Sequence, residues 1–348
     1  MTVGLFAIDQ LVAALAAEHP PVLLDVRELV ESEGGHLPSA TILPRRRIEF
    51  RIDALVCDRA TPIVVIDGGA DIGDGQRDPR AALAADTLVA LGFLEVAALD
   101  GGVAAWRQAG LPIVSGAQVS SKAFGRRVGD LERVPTIDVA TLRQWQQAGR
   151  RVALCDVRSA AEHTDECIPG AVSLPGFEVV PHALDMVAES DVIVLCSCAR
   201  TRSLIVARTL VDLGLGDVVA LDGGLLAWRL AGHETERGSR RRRVQPSNAG
   251  RQFAELGSAR LAKHHGVERI EAPDLATLVH ASAGNFNAFD LRNLRQHGVA
   301  HVPRSVPVAC DVLLVRSDEL IAVRDAPVVL VDDDALLEIG RASWRERV

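Results

Sequence analysis

An internal repeat constrains this chain more than any other feature: four blocks recur in the same order, about one small domain apart. The first copy reads VLLDVRE (22–28), GGHLPSA (34–40), PIVVIDGG (62–69) and ALDGGVAAWRQAGLP (98–112). The second reads ALCDVRS (153–159), ECIPGA (166–171), DVIVLCSC (191–198) and ALDGGLLAWRLAGHE (220–234). A weaker third copy holds NAFDLRN (287–293), HVPRS (301–305) and PVVLVDDD (327–334). Within each copy short β-branched runs alternate with helical patterns, which implies βα units around a mostly parallel sheet. In the second copy VALCDV and DVIVLC read as buried strands, and RSLIVARTLVDLG (202–214) as a helix closed by Gly214. DVVALDGG (217–224) reads as a further strand ending in a glycine turn.

The fold class is therefore α/β: tandem domains, each a mostly parallel sheet flanked by helices, with a third, incomplete copy. The expected units are 1–115, 131–235 and 263–348, joined by connectors at 116–130 and 236–262. Arg240–Arg243, in the second connector, read as a solvated basic run. Only fourteen residues follow VVLVDDD, and the closing ASWRERV matches neither earlier copy, so a truncated chain or an altered terminus is expected.

Composition removes several function classes. With 48% hydrophobic and 24% charged residues, a 348-residue chain suits two or three soluble globular domains. No apolar run is long enough to span a bilayer. The first residues, MTVGLFAIDQLVAALAAEHPP, read as an amphipathic helix rather than a signal peptide. Six scattered cysteines are too few for a disulfide framework, so a cytoplasmic setting is expected. A net charge of -8 and the absence of Tyr argue against nucleic-acid binding.

Chemistry is expected at VIVLCSCARTRS, where a strand gives way to a polar loop and a helix. Open parallel sheets bind ligands at such strand ends. Loop amides and a helix N-terminus stabilise an anion there. With Arg200 and Arg202 nearby, they should lower the pKa of a cysteine at the start of the loop.

These residues resemble the rhodanese domain: DVR, a degraded GH-I-P-G-A block, strand, cysteine loop and helix, then LDGG-x-x-AW. ARTRS before an apolar helix, and SKAFG (121–125), resemble multi-domain bacterial rhodanese-related sulfurtransferases. The resemblance covers 1–112 and 131–234 well and about 270–335 poorly. It implies a Cys196 persulfide, with Cys198 as second choice, that carries sulfane sulfur from thiosulfate or a similar donor to cyanide or a thiol. Ser197, Cys198, Ala199, Arg200, Thr201, Arg202 and Ser203 would cradle it, Arg200 and Arg202 holding the sulfonate. No cofactor, metal, nucleic acid or membrane is implied; the partners are a small sulfur donor and a cyanide, thiol or protein-thiol acceptor.

Loop length departs from the family pattern. Its sulfurtransferases have four residues between Cys and Arg, whereas five separate Cys196 from Arg202 and three separate Cys198 from it. Cys-x5-Arg resembles the phosphatases and arsenate reductases built on this fold, which stand as an alternative. A persulfide carrier without turnover, or a regulatory binding module, is another. Cys198 could also resolve a modified Cys196 as a disulfide.

Elsewhere, Asp67 is read as standing where the second copy has Cys196, which makes the first unit an inactive support. Asp332, Asp333 and Asp334 stand at that place in the third. The loop around Asp71 and Asp74 reads as an ordinary turn rather than a calcium site. Asp25–Arg27 and Asp156–Arg158 are expected as structural pairs, Trp106 and Trp228 as core, Cys155 and Cys167 as buried, and His163 as surface.

Overall fold

The computed structural model describes residues 4–69, 77–131, 134–243, 245–281 and 285–332. Asp71, Asp74, Asp333 and Asp334 lie outside these. In the first unit, β1 (Gly4–Phe6), β2 (Val22–Asp25), β3 (Thr41–Ile42), β4 (Ile63–Ile66) and β5 (Val96–Leu99) form a parallel sheet of order β1-β5-β4-β2-β3. The second unit repeats the order with β6 (Thr136–Ile137), β7 (Val152–Asp156), β8 (Val172–Ser173), β9 (Val192–Cys196) and β10 (Val218–Leu221): β6-β10-β9-β7-β8. In the third, β11 (Asn287–Asp290), β12 (Val306–Pro307) and β13 (Val328–Val331) pair as β12-β11-β13, the counterpart of β8-β7-β9.

Strand alternation builds two cores per sheet, because successive side chains leave a strand on opposite faces. Along β9, Ile193 and Leu195 pack with Leu204 and Leu210 of the helix Thr201–Asp212. Val192, Val194 and Cys196 join Leu142, Leu225 and Trp228 on the other side. Trp228 and Trp106 are core residues, each indole N–H donating 2.8 Å to a carbonyl, of Glu234 and Pro112 respectively.

The repeat extends to single hydrogen bonds. Asp25–Arg27, Asp156–Arg158 and Asp290–Arg292 each form a buried or half-buried pair at the end of a central strand. Each guanidinium also donates to a carbonyl eight residues on, of Gly35, Glu166 or Ala300. This staples the following loop to the strand. His163 is buried rather than on the surface, between Asp156 at 3.1 Å and Ser239 at 3.2 Å.

Both connectors are more ordered than their composition suggested. Residues Val119–Leu131 form a helix on the second unit, with Gly125 and Gly129 so close to Thr201 and Leu204 that a Cβ would meet them at 2.8 and 2.9 Å. The arginine run borders a sheet instead of being free in solvent. Arg241 accepts from the Ser173 N–H through its carbonyl and pairs with Glu236, while Arg243 pairs with Glu189. Residues Asn248–His264 form a further helix. Ala322 and Val323 of the third unit enter the core of the first.

Candidate active site

Backbone bonds fix the register between the copies. Val26 N–H donates to Ile66 O as Val157 N–H does to Cys196 O, and Val103 N–H donates to Asp67 O as Leu225 N–H does to Ser197 O. Asp67 therefore corresponds to Ser197, and Ile66 to Cys196; the one-residue offset assumed from sequence is corrected. In the third unit Leu291 N–H donates to Val331 O, so Asp332 is the counterpart of Ser197.

Cys196 completes β9 with its side chain 2% exposed in the apolar cluster around Trp228 and Leu142. Burial pushes its thiol well above the usual value, Asp156 adds to this, and Arg158 only partly opposes it. The expectation of an acidified Cys196 thus fails, because the strand pleat turns that side chain away from the loop. Ser197 is also buried, its Oγ 3.3 Å from Ser203 Oγ. Cys198 is the exposed thiol of the loop. A loop with four residues before Arg202 would begin at Ser197, between the two cysteines.

The glycine turn holds the loop from the side. Gly223 and Gly224 have φ of 68° and 50°, and a Cβ on Gly224 would lie 2.2 Å from Ser197 O. Only a residue without Cβ permits this approach. It lets Leu225 and Leu226 N–H donate to Ser197 O and Cys198 O at 2.9 and 3.0 Å.

The two arginines have different surroundings. Arg202 donates two bonds, 2.8 and 2.7 Å, to Glu162, and its Nη1 lies 3.9 Å from Asp311 of the third unit. Burial alone would raise the Glu162 carboxyl, but Arg202 outweighs it and holds the pKa at about 2. Arg202 is thus committed to a protein carboxylate rather than turned toward a substrate sulfonate, as had been expected. Among the described residues Arg200 has only long ion contacts, 3.6 Å to Asp222 and 3.7 Å to Asp130, and its Nε makes no hydrogen bond. Sequence reasoning missed Glu162, although S-x-x-E at 159–162 was a legible capping box, and it missed Asp311, which only tertiary packing brings near.

The two loops differ most in what their amides do. In the first unit Gly69 and Ala81 N–H donate to the Asp67 carboxylate at 2.9 and 3.1 Å, and Gly68 N–H donates to Asp78 at 3.1 Å. Arg80 in turn grips Asp78 and Glu31. Two protein carboxylates therefore occupy the first loop. In the second unit, among the described residues, no backbone N–H of Cys198–Ser203 has a protein acceptor. Surface clefts of about 670 Å³, beside Arg143 and His233, and 260 Å³, beside Cys155 and Met186, lie away from this loop.

A rhodanese-like domain model matches residues 8–109 and 138–231, more than half of the chain. The chain belongs to the rhodanese family. Its structure is similar to that of a thiosulfate sulfurtransferase from Pseudomonas aeruginosa, with TM-score 0.90 and 32% identity over 99% of this chain and 64% of that one. A sulfurtransferase of Allochromatium vinosum is 32% identical over 27% of this chain and 88% of its own length. An uncharacterized protein of Synechocystis is 38% identical over 29% of this chain. A transcriptional regulator of Mycobacterium tuberculosis is 33% identical, also over 29%. The chain spans about half the length of these last two relatives, 55% and 44%. Two rhodanese domains in tandem, followed by a three-stranded sheet that matches part of their strand order, are thus the architecture of the described residues. Among the described residues no helix is long and apolar enough to cross a membrane.

Proposed function

We propose that this rhodanese is a sulfurtransferase whose second domain carries sulfane sulfur on Cys198. One observation carries the reading: the amides that two carboxylates occupy in the first domain are open in the second, beside an exposed thiol. Those amides, together with the N-terminus of Thr201–Asp212, would stabilise a thiolate and then a persulfide anion. The Cys198 thiolate attacks the outer sulfur of thiosulfate or a similar donor. A sulfur–sulfur bond forms as the donor's own breaks, and sulfite leaves with the bonding pair. Cyanide or a thiol then attacks the outer persulfide sulfur and releases Cys198 as thiolate. Arg200, the less committed guanidinium, would meet the sulfonate, while Glu162–Arg202 holds the helix that frames the loop.

Cys196 becomes a packing residue under this reading. The phosphatase and arsenate reductase alternative takes its nucleophile from Cys196, so the burial of that side chain weighs against it. The first domain, its loop filled by Asp67 and Asp78, would serve as a support. Thiocyanate formation from thiosulfate and cyanide tests the proposal. Activity that is lost in Cys198→Ser and kept in Cys196→Ser supports it. No thiocyanate from the native chain, or loss only in Cys196→Ser, overturns it.

A further inference from the structure

The arginine that opens the loop helix is bracketed by two carboxylates in both domains, and the source of the second one differs. Phe93 N–H donates to Leu88 O as Leu215 N–H does to Leu210 O, which aligns the two helices and makes Arg80 the counterpart of Arg202. Arg80 bonds Glu31 at 2.6 and 2.7 Å and, from its own loop, Asp78 at 2.7 Å. Asp78 also accepts from Gly68 N–H and so helps to fill that loop. Arg202 bonds Glu162 in the same way, but its second carboxylate is Asp311, from the helix Cys310–Leu320 of the third unit. That helix is fixed from outside the loop. Leu314 enters the core that holds Leu204 and Leu210, and Asp318 accepts from the Ser120 N–H at 3.0 Å. Asp311 is 5% exposed, its Oδ2 lies 3.9 Å from Arg202 Nη1, and among the described residues that oxygen has no hydrogen bond. Burial pushes its carboxyl up, and Arg202 only partly opposes this. A buried carboxylate oxygen without a partner costs stability, so packing does not account for it; a charge aimed at Arg202 does.

We infer that Asp311 is a positioning residue for the reactive loop, acting through Arg202. The inference rests on the sulfurtransferase reading and assigns that site a residue from another unit. Arg202 stands in the first turn of Thr201–Asp212, directly after the loop. Glu162 engages its Nη1 and Nη2, and Asp311 faces Nη1 as well, so the two restrict where the guanidinium and the turn behind it can go. The amides of that turn are among those that would face a Cys198 thiolate. The third unit therefore supplies the second carboxylate that Asp78 supplies in the first domain, without placing it on the loop amides.

The test compares the native chain, Asp311→Asn, Arg202→Lys and the double variant. Two rates are measured, sulfur loading from thiosulfate and alkylation by iodoacetamide at pH 7, each mapped to its cysteine. Asp311→Asn removes a negative charge near the loop. As a plain charge effect this would favour the Cys198 thiolate and speed alkylation, whereas lost positioning slows it. Loading and alkylation of Cys198 should both slow about fivefold, the scale of one ion contact at this separation in a wet dielectric. Arg202→Lys should slow them at least as much, and the double variant no further, because the two residues act as one unit. Native or faster rates in Asp311→Asn, or losses that multiply in the double variant, would overturn the inference. So would alkylation spreading to the buried Cys196, which would show that Asp311 only holds the fold. Each of these leaves the sulfurtransferase reading standing. A native chain that takes up no sulfur on Cys198 would remove that reading, and the inference with it.

Discussion

Asp67 and Ser197 occupy the same backbone position in two copies of one domain, and they leave opposite situations behind them. The Asp67 carboxylate accepts from Gly69 and Ala81 and so fills its own loop. Ser197 bonds sideways to Ser203, and the amides beyond it stay available. A duplicated fold thus contains its own comparison, one loop closed by an internal carboxylate and one whose amides, among the described residues, have no protein acceptor.

The first prediction concerns that closure. Asp67→Ala should strand two loop amides and cost the first domain about 1–3 kcal/mol, in the range for losing hydrogen bonds to a charged acceptor. Loading of sulfur on Cys198 should be unaffected. Urea unfolding followed beside thiocyanate formation checks both halves. A variant as stable as the native chain would show that the carboxylate is not a structural anion.

The Glu162–Arg202 pair gives a pH dependence. The folded pKa, about 2, lies below the ordinary 4.5, so the pair's contribution is fully present above pH 4.5 and is lost as pH falls toward 2. Glu162→Gln removes the titrating group. Its melting temperature should be lower than the native one at neutral pH and should fall less between pH 4.5 and pH 2. Parallel melting curves for the two proteins across that window would contradict the assignment.

Much of this was legible in the residues. Four recurring blocks announced two tandem α/β domains and a partial third, because a repeated pattern of apolar runs and turn residues must bury itself in the same way each time. The loop after DVIVLC was legible as a strand end followed by a polar turn and a helix, a series that leaves backbone amides without strand or helix partners. Which cysteine faces solvent was not legible. It depends on the residue at which β9 stops alternating, and Cys196 still belongs to the strand while Cys198 does not. The separate commitments of Arg202 and Arg200 were hidden for a similar reason. Arg202 meets Glu162, forty residues earlier in the chain, and Asp311 from another unit, contacts with no local signature. The connector at Val119–Leu131 carried so few large apolar residues that its helix was missed; it packs closely through Gly125 and Gly129 instead.

The glycine turn is open to a sharper test. In Gly224→Ala the added methyl would collide with Ser197 O and Ala199 O, 2.2 and 2.6 Å from its ideal position, in a backbone conformation with φ of 50°. Displacing either carbonyl moves the amides beside Cys198. Sulfur transfer should fall about a hundredfold or more, on the scale of losing an oriented set of anion-stabilising donors. Gly232→Ala, which meets nothing within 4 Å, shares the positive φ without the collision and should leave the transfer rate near native. Equal loss in both variants would mean that backbone strain, not the loop, is responsible.

Mapping where sulfur resides after treatment with thiosulfate tests the central claim most directly. Intact mass and peptide mapping of the native chain, Cys196→Ser and Cys198→Ser should show one added sulfur atom on Cys198, kept in the first variant and absent from the second. Sulfur found on Cys196, or retained when Cys198 is replaced, would contradict the account.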